Sequence, residues 1–192
     1  MTKDILREKI IEKATEIFNK YGYKKTAVDE IAHQLGKGKS SIYYYFSGKE
    51  EIFQAVVEKE ADKLRGLVRE SINKSNDPIE KIKNYVLTRV IVYKEGTSFY
   101  NALKNDDLLH LDFIENLRKK YETTEIEVLK NILNEGVKSG KFKIDDTHLA
   151  AVAIVTALKG LEETFSLNND VKQLETKLDH LLNVLFYGII IR

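Results

Sequence analysis

The chain has 192 residues, 43% of them hydrophobic and 32% charged, with a formal net charge of +1. That balance supports a folded core and excludes a disordered polyelectrolyte. Cysteine is absent, which excludes disulfides, thiolate metal sites and cysteine nucleophiles.

With one proline, ten glycines and many Lys, Glu, Leu and Ile, the sequence predicts an all-α fold of about nine helices. Helix 1 is expected over about Lys3–Tyr21, where Leu6, Ile10, Ala14, Ile17, Phe18 and Tyr21 recur at helical spacing until Gly22. Thr26 is a candidate cap for a short second helix carrying Val28, Ile31, Ala32 and Leu35 and stopped by Gly36. A third helix is expected from Gly38 or Lys39 to near Phe46. Ser47, with Glu50 three residues on, reads as a capping box opening a long fourth helix that ends near Ile72.

Asp77 followed by Pro78 marks the start of helix 5, Pro78–Lys94. Further helices are expected near Ser98–Lys104, Asp107–Ser139, Thr147–Ser166 and Val171–Ile189. The apolar stretches near Leu149–Leu158 and Leu181–Ile191 fall short of the roughly 20 residues that span a bilayer. The charged, periodic start lacks the pattern of a secretory signal, so a cytoplasmic protein without membrane association is expected.

Two short helices joined by a glycine turn and packed on a longer first helix describe a helix-turn-helix, motif 27–46. Ile42, Tyr45 and Phe46 share one face of helix 3, which should pack inward. Ser40, Tyr43 and Tyr44 share the other. Lys37 and Lys39 stand at its N-terminal end, where the helix dipole adds positive potential. Between Lys20 and Lys49 six lysines face only Asp29 and Glu30, a basic patch on a near-neutral chain. Hydroxyls, lysines and backbone N–H groups are the donors that duplex DNA accepts at its phosphates and base edges. The expected DNA-contacting residues are Lys37, Lys39, Ser40, Ser41, Tyr43, Tyr44 and Lys49. Lys49 stands in the first turn of helix 4, against the dipole, which a nearby phosphate would explain.

The run "ATEIFNKYGYKKTAVDEIAHQLGKGKSSIYYYFSGKEEIF", Ala14 to Phe53, closely resembles the DNA-binding domain of tetracycline-repressor-like (TetR family) regulators. It carries their Tyr-Gly, Thr-x-x-x-x-Ile-Ala, glycine turn and Lys-Glu opening of helix 4. The resemblance implies that Thr26 is a phosphate-binding cap and that Lys39, Tyr43, Tyr44 and Lys49 touch DNA. Two positions depart from the pattern: Lys37-Gly38 stands where an apolar residue and Ser or Thr are usual, and Ser40 follows the lysine where glycine is common.

The expected division is a DNA-binding domain at 1–48 and an effector-binding and dimerisation domain at 49–192. Helix 8 is apolar nearly all round, which predicts burial on most faces. With the last helix it is expected to form a four-helix bundle in a homodimer, through Val152, Thr156, Lys159, Leu174, Leu178, Leu181 and Leu185. The resemblance implies a pocket for a small apolar or amphiphilic effector among helices 5 to 7, with Tyr85, Tyr93, Phe99, Tyr100, His110, Phe113 and Tyr121 as its expected lining. Asp106, Asp107 and His110 have metal-ligand spacing, but in a loop they read as capping residues, so no metal or cofactor is expected. The sequence thus predicts a non-enzymatic, ligand-released repressor whose partners are double-stranded DNA, a small molecule and a second copy of itself. The alternatives are a helical enzyme using Glu162, Glu163 or His110 as base, and an interaction module that does not bind DNA.

Overall fold

The computed structural model describes residues 2–166 together with 176, 179, 180 and 182–184. Leu174, Leu178, Leu181 and Leu185 of the expected last helix lie outside the described residues. Within them the fold is all-helical: α1 (Thr2–Lys25), α2 (Val28–Gln34), α3 (Lys39–Tyr43), α4 (Lys49–Ile72), α5 (Pro78–Lys94), α6 (Ser98–Lys104), α7 (Asp112–Lys138) and α8 (Thr147–Ser166). A 3₁₀ turn at Asp106–Leu108 precedes α7, which starts five residues later than the sequence suggested. No described helix is long and apolar enough to cross a membrane.

The chain forms two compact units. The first holds residues 1–63 and 96–117, the second 64–95 and 118–192. This partition differs from the expected boundary after residue 48, because the first half of α4, all of α6 and the start of α7 join the N-terminal helices.

Local signals explain most helix ends. Asp77 accepts from the N–H of Ile79 (2.9 Å) with Pro78 at the first helical position of α5. Gly36 takes φ 63°, and the N–H groups of Gly36 and Lys37 return to the carbonyls of His33 (3.0 Å) and Ala32 (2.9 Å). That double return closes α2 in a Schellman motif. Gly140 (φ 71°) closes α7 in the same way, onto Val137 and Gly136.

Two local expectations are corrected. Thr26 does not cap α2: the N-cap is Ala27, with no side-chain cap bond. Its hydroxyl instead donates to the Gly22 carbonyl (2.8 Å), where the backbone leaves helical geometry at φ 79°. The capping carboxylate of α4 is Glu51, not Glu50, and accepts from the Ser47 N–H at 2.6 Å. That bond lowers the pKa of Glu51. Within one chain, helix α8 buries one side. Ala151, Ile154, Val155 and Leu158 are buried, while Leu149, Ala153, Thr156 and Ala157 are exposed.

Gly136 is buried within α7, and the Phe142 ring lies against it: a Cβ there would come within 2.7 Å of Phe142 Cγ. Helix propensity alone would make Gly136→Ala stabilising by about 1 kcal/mol. The clash reverses the sign. We expect a net loss of about 1–3 kcal/mol in urea denaturation. A variant as stable as the parent would show that the ring has other room.

Candidate nucleic-acid interface and ligand cavity

The first unit is built on an apolar core. Ile10, Ala14, Ile17 and Phe18 of α1 are buried together with Ile31 and Ala32 of α2 and Ile52 and Phe53 of α4. Helix α3 adds Ile42, and Phe46 follows it; both are 1% exposed. Burying that face turns the opposite one outward. Ser40 is exposed, Tyr43 is 45% exposed and Tyr44 63%. Tyr45 is half-buried, its ring edge-on to Tyr44 at 5.0 Å. Lys37 is exposed and Ser41 half-buried. The outward face therefore carries two phenols and a serine hydroxyl, with lysines at the helix start.

The two remaining lysines are held by neighbours. Lys39 Nζ lies 2.8 Å from Asp29 Oδ1 of α2 and 5.7 Å from the centre of the Tyr43 ring. The Asp29 hydrogen bond, then its charge, raises the Lys39 pKa. Lys49 Nζ donates to the Tyr23 carbonyl (3.0 Å) and stands 4.3 Å from the Tyr23 ring centre. The end of α1 thus supplies one oxygen to a cation in the first turn of α4. Thr26 is 2% exposed, so its hydroxyl is removed from any surface contact.

A polar clamp fixes α6 within the same unit. Asn19 Oδ1 accepts from both the N–H (2.7 Å) and the hydroxyl (2.6 Å) of Ser98. Asn19 Nδ2 donates to Glu60 Oε1 (2.8 Å), and Glu60 Oε2 accepts from the Phe99 N–H (2.8 Å). The first N–H groups of a helix lack internal partners. Here side chains of α1 and α4 supply them.

The second unit contains a cavity of about 180 Å³ that is open to solvent on one side. Leu64, Val68 and Ile72 of α4 and Val128 of α7 form apolar wall. Tyr85 of α5 and Tyr121, Thr124 and Glu125 of α7 give it a polar side. Glu125 is 4% exposed. Its Oε1 accepts from Tyr85 Oη (2.9 Å) and lies 2.9 Å from Nε of Arg89, itself 2% exposed. Burial first, then the Glu125 charge, pushes the Tyr85 phenol well above its ordinary range.

Of the aromatic residues expected around an effector, only Tyr85 and Tyr121 line this cavity. Tyr93 belongs to the second unit but is not in the wall. Phe99, Tyr100, His110 and Phe113 belong to the first unit. Phe99 and Tyr100 are core there, Phe113 meets Phe53 at 6.2 Å, and exposed His110 turns Nδ1 to the Asp107 carbonyl (2.8 Å). Asp107 pairs with Lys24 (2.7 Å). Arg89 and Glu125 were missed. Their signal was present as a charged residue four positions after a tyrosine on each of two helices, Tyr85–Arg89 and Tyr121–Glu125.

Residues 10–56 match the model of bacterial regulatory proteins of the tetR family, and residues 69–190 match that of the QacR-like protein C-terminal region. The chain is 26% identical over 149 residues to the HTH-type transcriptional repressor KstR2 of Mycolicibacterium smegmatis, covering 72% of this chain and 68% of that one. A Clostridium perfringens putative fatty acid metabolism regulator superimposes with a TM-score of 0.67 at 26% identity, covering 96% of this chain and all of that one. The Bacillus subtilis regulator FadR, solved in complex with stearoyl-CoA, shares the fold with a TM-score of 0.74 at 22% identity, covering 95% and 99%. Two family models thus account for the helix-turn-helix and for most of the remaining chain, and the protein belongs to the TetR family of bacterial transcriptional regulators.

Proposed function

We propose that the protein is a repressor that binds a palindromic operator as a homodimer and is released by a small apolar or amphiphilic effector. The observation that carries DNA contact is the outward face of α3: Ser40, Tyr43 and Tyr44 exposed while Ile42 and Phe46 are buried. A short helix presented in this way can enter a major groove by its N-terminal end. Lys37 and Ser40 stand at that end. Lys39, tied to Asp29, reaches DNA by exchanging one anion for another. Tyr43 and Tyr44 flank it as backbone donors.

One five-residue helix offers few contacts. Two, spaced by a turn of DNA, read a palindrome. The exposed side of α8 supports the dimer. Small Ala153 and Ala157 stand beside half-buried Val152, exposed Thr156 and Lys159, and Leu149 at 64% exposure. Lys159 also pairs with Glu122 (3.3 Å). An apolar stripe with small residues is the surface a second copy of the helix covers. The cavity of the second unit supports an effector with an apolar body, as does the naming of the clostridial neighbour for fatty acid metabolism.

The test is operator selection from genomic DNA followed by a salt titration. Binding should weaken steeply with salt, with a slope of about −0.9 per phosphate neutralised. Tyr43→Phe combined with Tyr44→Ala should weaken binding to all sequences, by about tenfold or more, without loss of fold. Lys39→Ala should also relax sequence choice. Wild-type affinity in both variants would refute the assignment of this face.

A further inference from the structure

Building on the DNA-binding role proposed above, we propose that Asp29 of α2 is a specificity-determining residue that acts through Lys39. It holds the Lys39 ammonium at the groove end of α3 and offsets its charge toward phosphates.

Asp29 and Lys39 lie in consecutive helices, on either side of the Gly36 turn. Lys39 Nζ and Asp29 Oδ1 meet at 2.8 Å, and the two side chains stay 54% and 66% exposed. Lys39 is the first residue of α3, and its Nζ stands 5.7 Å from the ring centre of outward-facing Tyr43. The carboxylate therefore sits at the end of α3 that leads into a groove. Asp29 and Glu30 are the only acids between Lys20 and Lys49. The α2 dipole accounts for an acid in the first turn, where Glu30 also stands. It does not account for the choice of partner, a lysine of the next helix.

The chemistry of the ammonium makes the pair selective. Lysine carries three N–H donors. Asp29 takes one and leaves two, the number that guanine O6 and N7 accept in the major groove. A tethered Lys39 meets that base edge in one orientation, without the rotamer freedom of a loose lysine. Contact with a phosphate, the route open on any sequence, swaps one anion for another and adds little. A guanine edge needs no such exchange. Asp29 therefore lowers affinity for random sequence more than for a site with guanine at the right position, and that difference is specificity. An exposed pair contributes little to stability, so Asp29 can be changed without losing the fold.

Fluorescence anisotropy of the full chain, over a range of salt, tests this with two duplexes: the operator selected from genomic DNA and a scrambled sequence of the same composition. Asp29→Asn should bind the scrambled duplex about three- to tenfold more tightly, with a salt slope steeper by about 0.9 for each Lys39 released. Its preference for operator over scrambled DNA should fall about tenfold. Asp29→Glu keeps the charge and should keep the parent's salt slope and most of its preference. In a Lys39→Met background, Asp29→Asn should leave the ratio of the two affinities unchanged, because the residue it acts through is gone. A purely structural role has the opposite sign: weaker binding to both duplexes, with lower stability in urea. That result overturns the proposal, as does an Asp29→Asn variant whose two affinities rise equally. A parent that prefers no sequence defeats the DNA reading itself. A parent that prefers its operator, with a preference indifferent to Asp29, defeats this proposal alone.

Discussion

Arg89→Met is expected to cost about 3–5 kcal/mol of stability, the largest effect of any single substitution considered, because it strands the buried Glu125 carboxylate beside the cavity. The pair itself is not a large stabiliser. Removing two ions from water costs several kcal/mol each, and their attraction repays that only when the geometry is good. Here one Glu125 oxygen takes both the Arg89 contact and the Tyr85 hydroxyl. Breaking one side leaves the desolvation cost in place. Replacing both sides, with Arg89→Met and Glu125→Leu, removes the cost together with the attraction. The double variant should therefore recover most of the loss, and urea denaturation of the three proteins measures it. The single variant should also lose less relative to the parent in acid, where a stranded carboxyl becomes neutral. Equal losses in the single and double variants would show that Arg89 acts through packing alone.

Glu60→Ala is expected to cost about 1–3 kcal/mol, because it leaves the Phe99 N–H and the Asn19 amide without their shared carboxylate. The loss should be local before it is global. Hydrogen exchange at the Phe99 amide should speed up, while amides in the middle of α1 keep their protection. Glu60→Gln should fall between the two, since a carboxamide offers only one acceptor oxygen for the two donors. The clamp matters to function because α1, α4 and α6 meet in it, and α1 packs against the motif that carries the outward tyrosines. If α6 is held to the DNA-binding helices through these bonds, Glu60→Ala should bind operator normally but respond poorly to effector. Unchanged exchange at Phe99 would sink the role given to Glu60.

What was legible in the sequence is what short-range forces decide. The bounds of α5, α6 and α8 follow from features within a few residues. Asp77 and Pro78 open α5, Thr97 accepts from the Tyr100 N–H at the start of α6, and Asp146 accepts from the Leu149 N–H at the start of α8. The sorting of Ile42 and Phe46 inward and Tyr43 and Tyr44 outward is equally local, since helical periodicity fixes which neighbours share a face.

The long-range pairings were not legible. Arg89 and Glu125 are 36 positions apart, and Asn19 and Ser98 are 79. No periodicity within one helix says which other helix it will face. The aromatic residues show this most plainly. Their burial was foreseeable from hydrophobicity, but whether Phe99 lies in a core or Tyr85 in a cavity wall depends on how separate helices pack. Lys49 is the same lesson in electrostatics. Its position against the helix dipole suggested a phosphate nearby; that the Tyr23 carbonyl also lies within 3.0 Å of its Nζ is visible only in the tertiary structure.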